Sequence, residues 1–205
     1  HEIHPLPLSG QVRDMLSGQI TAGNLPLGTG LTEIDLAQQL KVSRGPLREA
    51  ILQLTEEGLL IKGPYKSLRV RSISLRELDE LYSMRTSLEQ FAFEETWNKR
   101  TGTTLADLRS RFTELEQSRN AQDLSAAVDC EIMFHSWVYE LSDHSMLQDH
   151  WRRLVPLVRV YLSIHNRQHG VYGVFMDAND NYLNLAQGDD LSPVLAHIKD
   201  HMQKG

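Results

Sequence analysis

The chain has 205 residues, 40% of them hydrophobic and 23% charged, a formal net charge of −6 and a single cysteine, Cys130. This composition supplies core for one large or two small globular domains. One thiol excludes an internal disulfide framework, and no apolar run nears the roughly 18 residues that span a bilayer. The opening His1-Glu2-Ile3-His4-Pro5 lacks the basic-then-apolar order of a signal peptide, so a cytoplasmic protein with no membrane partner is expected. Cys130 reads as a buried or inert thiol.

The charge is unevenly spread. Residues 5–72 hold eight basic side chains against six acidic ones, which leaves the remainder acidic. A DNA-reading domain joined to an acidic sensing or dimerisation domain has this asymmetry, because phosphate contacts need local positive charge.

In chain order, Leu8, Val12, Leu16 and Ile20 form a helical stripe that ends at Gly23, with Leu25-Pro26-Leu27-Gly28 as a turn. Thr32 is placed to cap a second helix with acidic Glu33 and Asp35 in its first turn and Leu36, Ala37 and Leu40 on its apolar face. After Lys41-Val42, Ser43 is placed to cap a third helix with Pro46 in its first turn, where a missing N–H costs little. Leu47, Ala50, Ile51 and Leu54 give it one buried face, and Gly58 closes it. Leu59-Leu60-Ile61 and Leu68-Arg69-Val70 then read as a two-stranded hairpin. Beyond Ser72-Ile73-Ser74 the pattern is helical: Leu75 to Trp97, Leu105 to Arg119, Leu124 to Leu141, Met146 to His165, and Asn179 to Gln203 with a break near Gly188-Asp189. The expected fold is mainly α, with a winged helix-turn-helix over residues 1–72 and an all-α antiparallel bundle over 75–205.

With its apolar face turned inward, the third helix presents Arg44 and Arg48 outward, four residues apart near its start. Guanidinium forks there reach guanine edges or phosphates in a major groove, and Ser43 with the free N–H groups of the helix start suits a backbone phosphate. The hairpin tip offers Tyr65, Lys66 and Arg69 as a wing. The run from Leu31 to Leu60, with Ser43-Arg44-Gly45-Pro46-Leu47-Arg48-Glu49-Ala50 at its centre, resembles the GntR family of bacterial regulators. That resemblance implies double-stranded DNA as a partner and places Ser43, Arg44, Gly45, Pro46 and Arg48 at the groove, with Glu33 nearby. The family often has proline where Leu27 stands and glycine where Lys41 stands.

Tyr82-Ser83-Met84-Arg85-Thr86-Ser87-Leu88-Glu89 resembles the opening helix of the C-terminal domain in the FadR-like branch of that family, known as the FCD domain. Many of its members hold zinc, nickel or manganese with an aspartate four residues before a histidine and two further histidines 22 residues apart. Here the aspartate position is Glu131, one turn before His135, while counting back 22 from His201 reaches Asn179 instead of histidine. The resemblance thus implies a metal at Glu131, His135 and His201, or a hydrogen-bonded polar cluster in its place, and Asp129 points away. It also implies an effector pocket where Arg85, Glu131, His135, Asn179 and His201 converge, with Arg85 either gripping a ligand carboxylate or pairing with Glu89. His144, His150, His165 and His169 are expected at the surface, and Trp97, Trp137 and Trp151 as packing residues. The functional expectation is a non-enzymatic, ligand-responsive regulator acting as a homodimer on a two-fold symmetric operator. The rival expectation is a metal-dependent hydrolase built on Glu131, His135 and His201.

Overall fold

A computed structural model describes residues 7–63, 67–170 and 175–203. The chain divides into two compact units, residues 1–72 and 73–205. Among the described residues no helix is long and apolar enough to cross a membrane.

The first unit holds helices α1 (Leu8–Thr21), α2 (Glu33–Leu40) and α3 (Arg44–Glu56) and strands β1 (Gly30–Leu31), β2 (Leu60–Lys62) and β3 (Leu68–Val70). The stripes seen in the sequence meet in one core, in which Val12, Leu16, Ile20, Leu36, Leu47, Ala50, Ile51 and Leu54 pack with Leu59, Leu60, Leu68 and Val70. Each of the larger chains contributes roughly 1.5–3 kcal/mol by leaving water. The hairpin expected from sequence gains a third strand: the sheet is antiparallel in the order β1-β3-β2, with Gly30 opposite Arg69 and Leu60 opposite Val70. A two-residue strand has no period to detect, which is why β1 does not stand out in the sequence.

Thr32 caps α2 as expected, its hydroxyl accepting from the Asp35 N–H at 3.1 Å. Lys41 ends α2 in the left-handed region at φ 53°, which explains why glycine suits this turn. Ser43 occupies the cap position of α3, but its side chain makes no cap hydrogen bond.

The second unit contains α4 (Leu75–Thr96), a 3₁₀ turn (Trp97–Lys99), α5 (Gly102–Asn120), α6 (Leu124–Ser142), α7 (Ser145–His169), α8 (Phe175–Ala186) and α9 (Leu191–Gln203). A capping box between Ser74 and Glu77 starts α4, where Ser74 Oγ accepts from the Glu77 N–H and Glu77 accepts from the Ser74 N–H. α6 packs between α5 and α7, α4 packs on α6, α7 and α9, and α8 packs on α9. Phe93, Phe134, Trp137, Tyr139 and Tyr182 fill the centre. Trp151 is buried and Trp97 packs against the same core, as expected of packing residues. Cys130 is half-buried against it, where burial pushes its thiol up, away from the reactive thiolate.

Candidate nucleic-acid interface and bundle site

The third helix shows how one sequence serves two faces. Leu47, Ala50, Ile51 and Leu54 are sealed into the core, so the 3.6-residue period leaves Ser43, Arg44, Gly45 and Arg48 exposed, with Pro46 half-buried in the first turn. Arg48 Nε donates to Glu33 Oε2 at 2.8 Å, which ties the start of α2 to the outer face of α3. The hydrogen bond and charge of Glu33 raise the already high Arg48 pKa, so the guanidinium is a fixed cation. A groove of about 560 Å³ runs from Thr32, Glu33 and Ile34 past Arg44 and Arg48 to Arg69 on β3. An adjoining recess brings Lys62 beside Glu33 and Arg48. Arg69 is exposed and lies with its Nη1 3.4 Å from the Gly28 carbonyl. Tyr65 and Lys66 lie outside the described residues. Lys62, on the edge strand β2, is exposed and adds a cation to the recess beside Glu33 and Arg48.

In the second unit, Arg85, Glu131, His135, Asn179 and His201 are all buried, and one chain of contacts links them. Arg85 Nε lies 3.3 Å from Glu89 Oε2, so the i,i+4 pairing exists, and the guanidinium also stands over the Trp151 ring. The other Glu89 oxygen is 2.7 Å from His135 Nδ1. His135 Nε2 is 3.5 Å from Glu131 Oε1, and the His201 ring stacks on His135 at 6.0 Å between centroids. Asn179 Nδ2 donates to both Glu131 oxygens, at 2.8 and 2.9 Å, and Arg119 Nη2 donates to Glu131 Oε2 at 2.6 Å. Asp129 pairs with Arg159 and takes no part. Among the described residues, Arg85 Nη2, Arg119 Nη1 and Asn179 Oδ1 are buried without a hydrogen-bond partner. Buried polar atoms are nearly always satisfied, and His135 Nε2 is a fourth atom of the same cluster left without a partner.

The electrostatics follow from burial and pairing. Burial alone would raise the Glu89 carboxyl, but the charges of His135 and Arg85 and the hydrogen bonds it accepts hold it at about 2. Glu131 is likewise held well below the usual carboxylate range, burial being outweighed by the His135 imidazole beside it and by Arg119. Burial pulls the His201 imidazole down to about 3, helped by the charges of His135 and Arg85.

His165 corrects an expectation: it is buried on α7, with its Nδ1 3.4 Å from the Tyr161 hydroxyl. Burial, then the nearby His169, lowers its pKa to about 4. The unfolded chain therefore takes up a proton near pH 6.5 that the native state resists. Stability is fully present above that pH and falls as pH drops towards 4, by about 1–2 kcal/mol after allowance for partial access to water. In urea melts across this range, His165→Gln should flatten that part of the profile; an unchanged slope would contradict the assignment. His144, half-buried, caps α7 by accepting from the Leu147 N–H, while His150 and His169 are exposed.

The fit to a divalent metal can be judged from the same distances. Asn179 turns an N–H, not a lone pair, towards Glu131, and both Glu131 oxygens already accept hydrogen bonds. His135 Nδ1 is committed to Glu89, and His197, one turn before His201, has Nε2 2.8 Å from the Ala178 carbonyl. Among the described residues no group of three or more His, Cys, Asp or Glu is arranged to hold an ion. Of the Glu131 and His135 ligand atoms His135 Nε2 alone is uncommitted, so Glu131, held by Arg119 and Asn179, with His135, held by Glu89, and the stacked His201 ring form a buried polar cluster whose donor set does not fit zinc, nickel or manganese. Arg119 and Glu89, which complete it, were not singled out for the site from sequence. The available signal was position: Arg119 lies one turn beyond Leu115 on the buried face of α5, where a charged residue requires a partner.

A winged helix-turn-helix with an exposed arginine pair on its third helix, in a chain that also carries a helical bundle, is the form of a class of DNA-binding proteins. Comparison with known proteins makes the class specific. Residues 8–70 match the family described as bacterial regulatory proteins, gntR family, and residues 80–204 match the FCD domain. The chain belongs to the GntR family of bacterial transcription regulators, in the branch that carries an FCD effector-binding domain.

It is similar to the transcriptional regulator McbR of Escherichia coli K12, with 29% identity over 73% of this chain and 69% of that protein. It is also similar to the gluconate operon transcriptional repressor of Bacillus subtilis 168, with 28% identity over 80% of this chain and 68% of that one. Among solved structures, E. coli McbR/YncC superimposes with a TM-score of 0.71 at 24% identity, covering 98% of this chain and 95% of that one. A putative GntR regulator from Rhodococcus sp. RHA1 gives 0.73 at 19% identity, over 96% and 94%. These two likenesses establish the fold. The family is one of regulators and not of enzymes, so the hydrolase reading is set aside.

Proposed function

We propose that the chain binds a two-fold symmetric operator as a homodimer and that a small organic acid in the bundle regulates this binding. The observation that carries the DNA half is the exposed pair Arg44 and Arg48 at the start of α3, with Arg48 held by Glu33. In this reading α3 enters the major groove with both guanidiniums on base edges. Ser43, Gly45 and Pro46 meet the phosphate backbone, and a Cβ at Gly45 would find nothing within 4 Å, so the helix start is open to close approach. Arg69, with Tyr65 and Lys66 by sequence, serves the wing.

The effector half is supported by the buried donors Arg85 Nη2 and Arg119 Nη1, which suit a carboxylate, with Asn179 Oδ1 accepting from a ligand hydroxyl. Glu131, His135 and His201 complete the wall. Effector binding shifts the population between states that differ in operator affinity, typically by about 5- to 150-fold. Four residues, 71–74, connect β3 to α4, and so short a connection supports coupling between the two units. Duplexes selected from a random pool by the full chain test the proposal: palindromic half-sites about 10 base pairs apart or a multiple of that, with two chains per duplex in sedimentation, are expected. An asymmetric site bound by one chain would contradict it.

A further inference from the structure

Glu131 is the residue at which an ion would enter the bundle, and its surroundings are those of a carboxylate that already has its cation. The side chain is 5% exposed, as is Arg119, whose Nη2 reaches Oε2 at 2.6 Å. From the other side, Asn179, fully buried on α8, directs its amide nitrogen at both oxygens. A divalent ion bonded to either oxygen at about 2.1 Å would displace these donors and place two positive charges beside a buried guanidinium.

We infer that Arg119 is a built-in cation that takes the place of a metal ion in this bundle and excludes one. Arg119 and Asn179 act together: the guanidinium supplies the charge, and the amide supplies donors where an imidazole lone pair would be needed. The assignment goes beyond the proposed function and holds whatever effector the bundle takes.

The test uses the full chain, passed over a chelating resin and assayed for metal content and melting temperature with zinc, nickel or manganese chloride added singly. The expected result is far less than one equivalent of metal per chain and no rise in Tm with any of the three. Arg119→Met with Asn179→His removes the cation and restores an imidazole, and this double variant should gain an ion-dependent rise on the order of 5 °C that chelator reverses. One equivalent of metal in the parent chain, or a chelator-sensitive Tm there, would overturn the inference, as would a folded double variant that no ion stabilises. Asn179→His alone keeps Arg119 and decides the matter if the double variant does not fold. No ion-dependent rise upholds the role of Arg119, and a rise assigns exclusion to the missing imidazole instead.

Discussion

Replacing Arg44 or Arg48 with alanine should weaken operator binding by roughly 10- to 100-fold each, since a guanidinium on a base edge is worth about 1–3 kcal/mol of discrimination. The melting temperature should stay where it is. Arg48 is 66% exposed and its partner Glu33 42%, so their ion pair is a surface contact worth about 0–1 kcal/mol to the fold. The split between lost recognition and kept stability separates a reading residue from a structural one. Glu33→Gln gives a finer result: Arg48 is released from its fixed direction, and a negative charge is removed from the neighbourhood of phosphate. Affinity for unrelated duplex should rise while preference for the operator falls. Fluorescence anisotropy with a selected operator and a scrambled duplex reads both quantities. Equal loss on the two duplexes for the arginine variants would place Arg44 and Arg48 on phosphate alone.

Glu89→Ala should be the most damaging single substitution among those considered, costing about 3–5 kcal/mol and lowering Tm by roughly 10–20 °C. Glu89 is fully buried, and its two oxygens face Arg85 and His135. Without it, the buried Arg85 guanidinium loses its ion-pair partner and is left with the face of Trp151 and the more distant charge of Glu131, and the removed atoms leave a void. The i,i+4 pair Arg76–Glu80 on the same helix is the natural control. Its side chains are 89% and 62% exposed, and Glu80→Ala should cost under about 0.5 kcal/mol. Urea denaturation of both variants makes the comparison. A Glu89 variant within about 1 kcal/mol of the parent would mean that the cluster is open to water rather than a sealed network.

What could be read before the structure was whatever repeats. Apolar residues at every third or fourth position located α1, α3 and α4, and the same period turned Arg44 and Arg48 outward without any knowledge of the sheet. What could not be read was contact between distant segments. β1 is two residues long and exists because β3 offers it an edge. His165 sits among Asn166, Arg167 and Gln168 and looks like surface, yet it continues the buried row of Val158, Tyr161 and Leu162. Asn179 was recognised as the position where a histidine was missing. What replaced the missing ligand was invisible, because Arg119 lies on α5 and meets Glu131 only when α5 and α6 pack. Glu89 was paired with Arg85 by spacing alone, but its second partner, His135, is 46 residues away.

The most direct test of the central claim, a regulator that grips DNA through α3 and the wing, is the salt dependence of duplex binding. Titrations of a selected operator at increasing salt should give a straight fall of log affinity against log salt, with a slope of about −0.9 for each phosphate neutralised. Arg44→Ala with Arg48→Ala should lose affinity at every salt concentration and, wherever a guanidinium touched phosphate, flatten the slope. Affinity that does not fall as salt rises, or a double variant that titrates like the parent, would contradict the account.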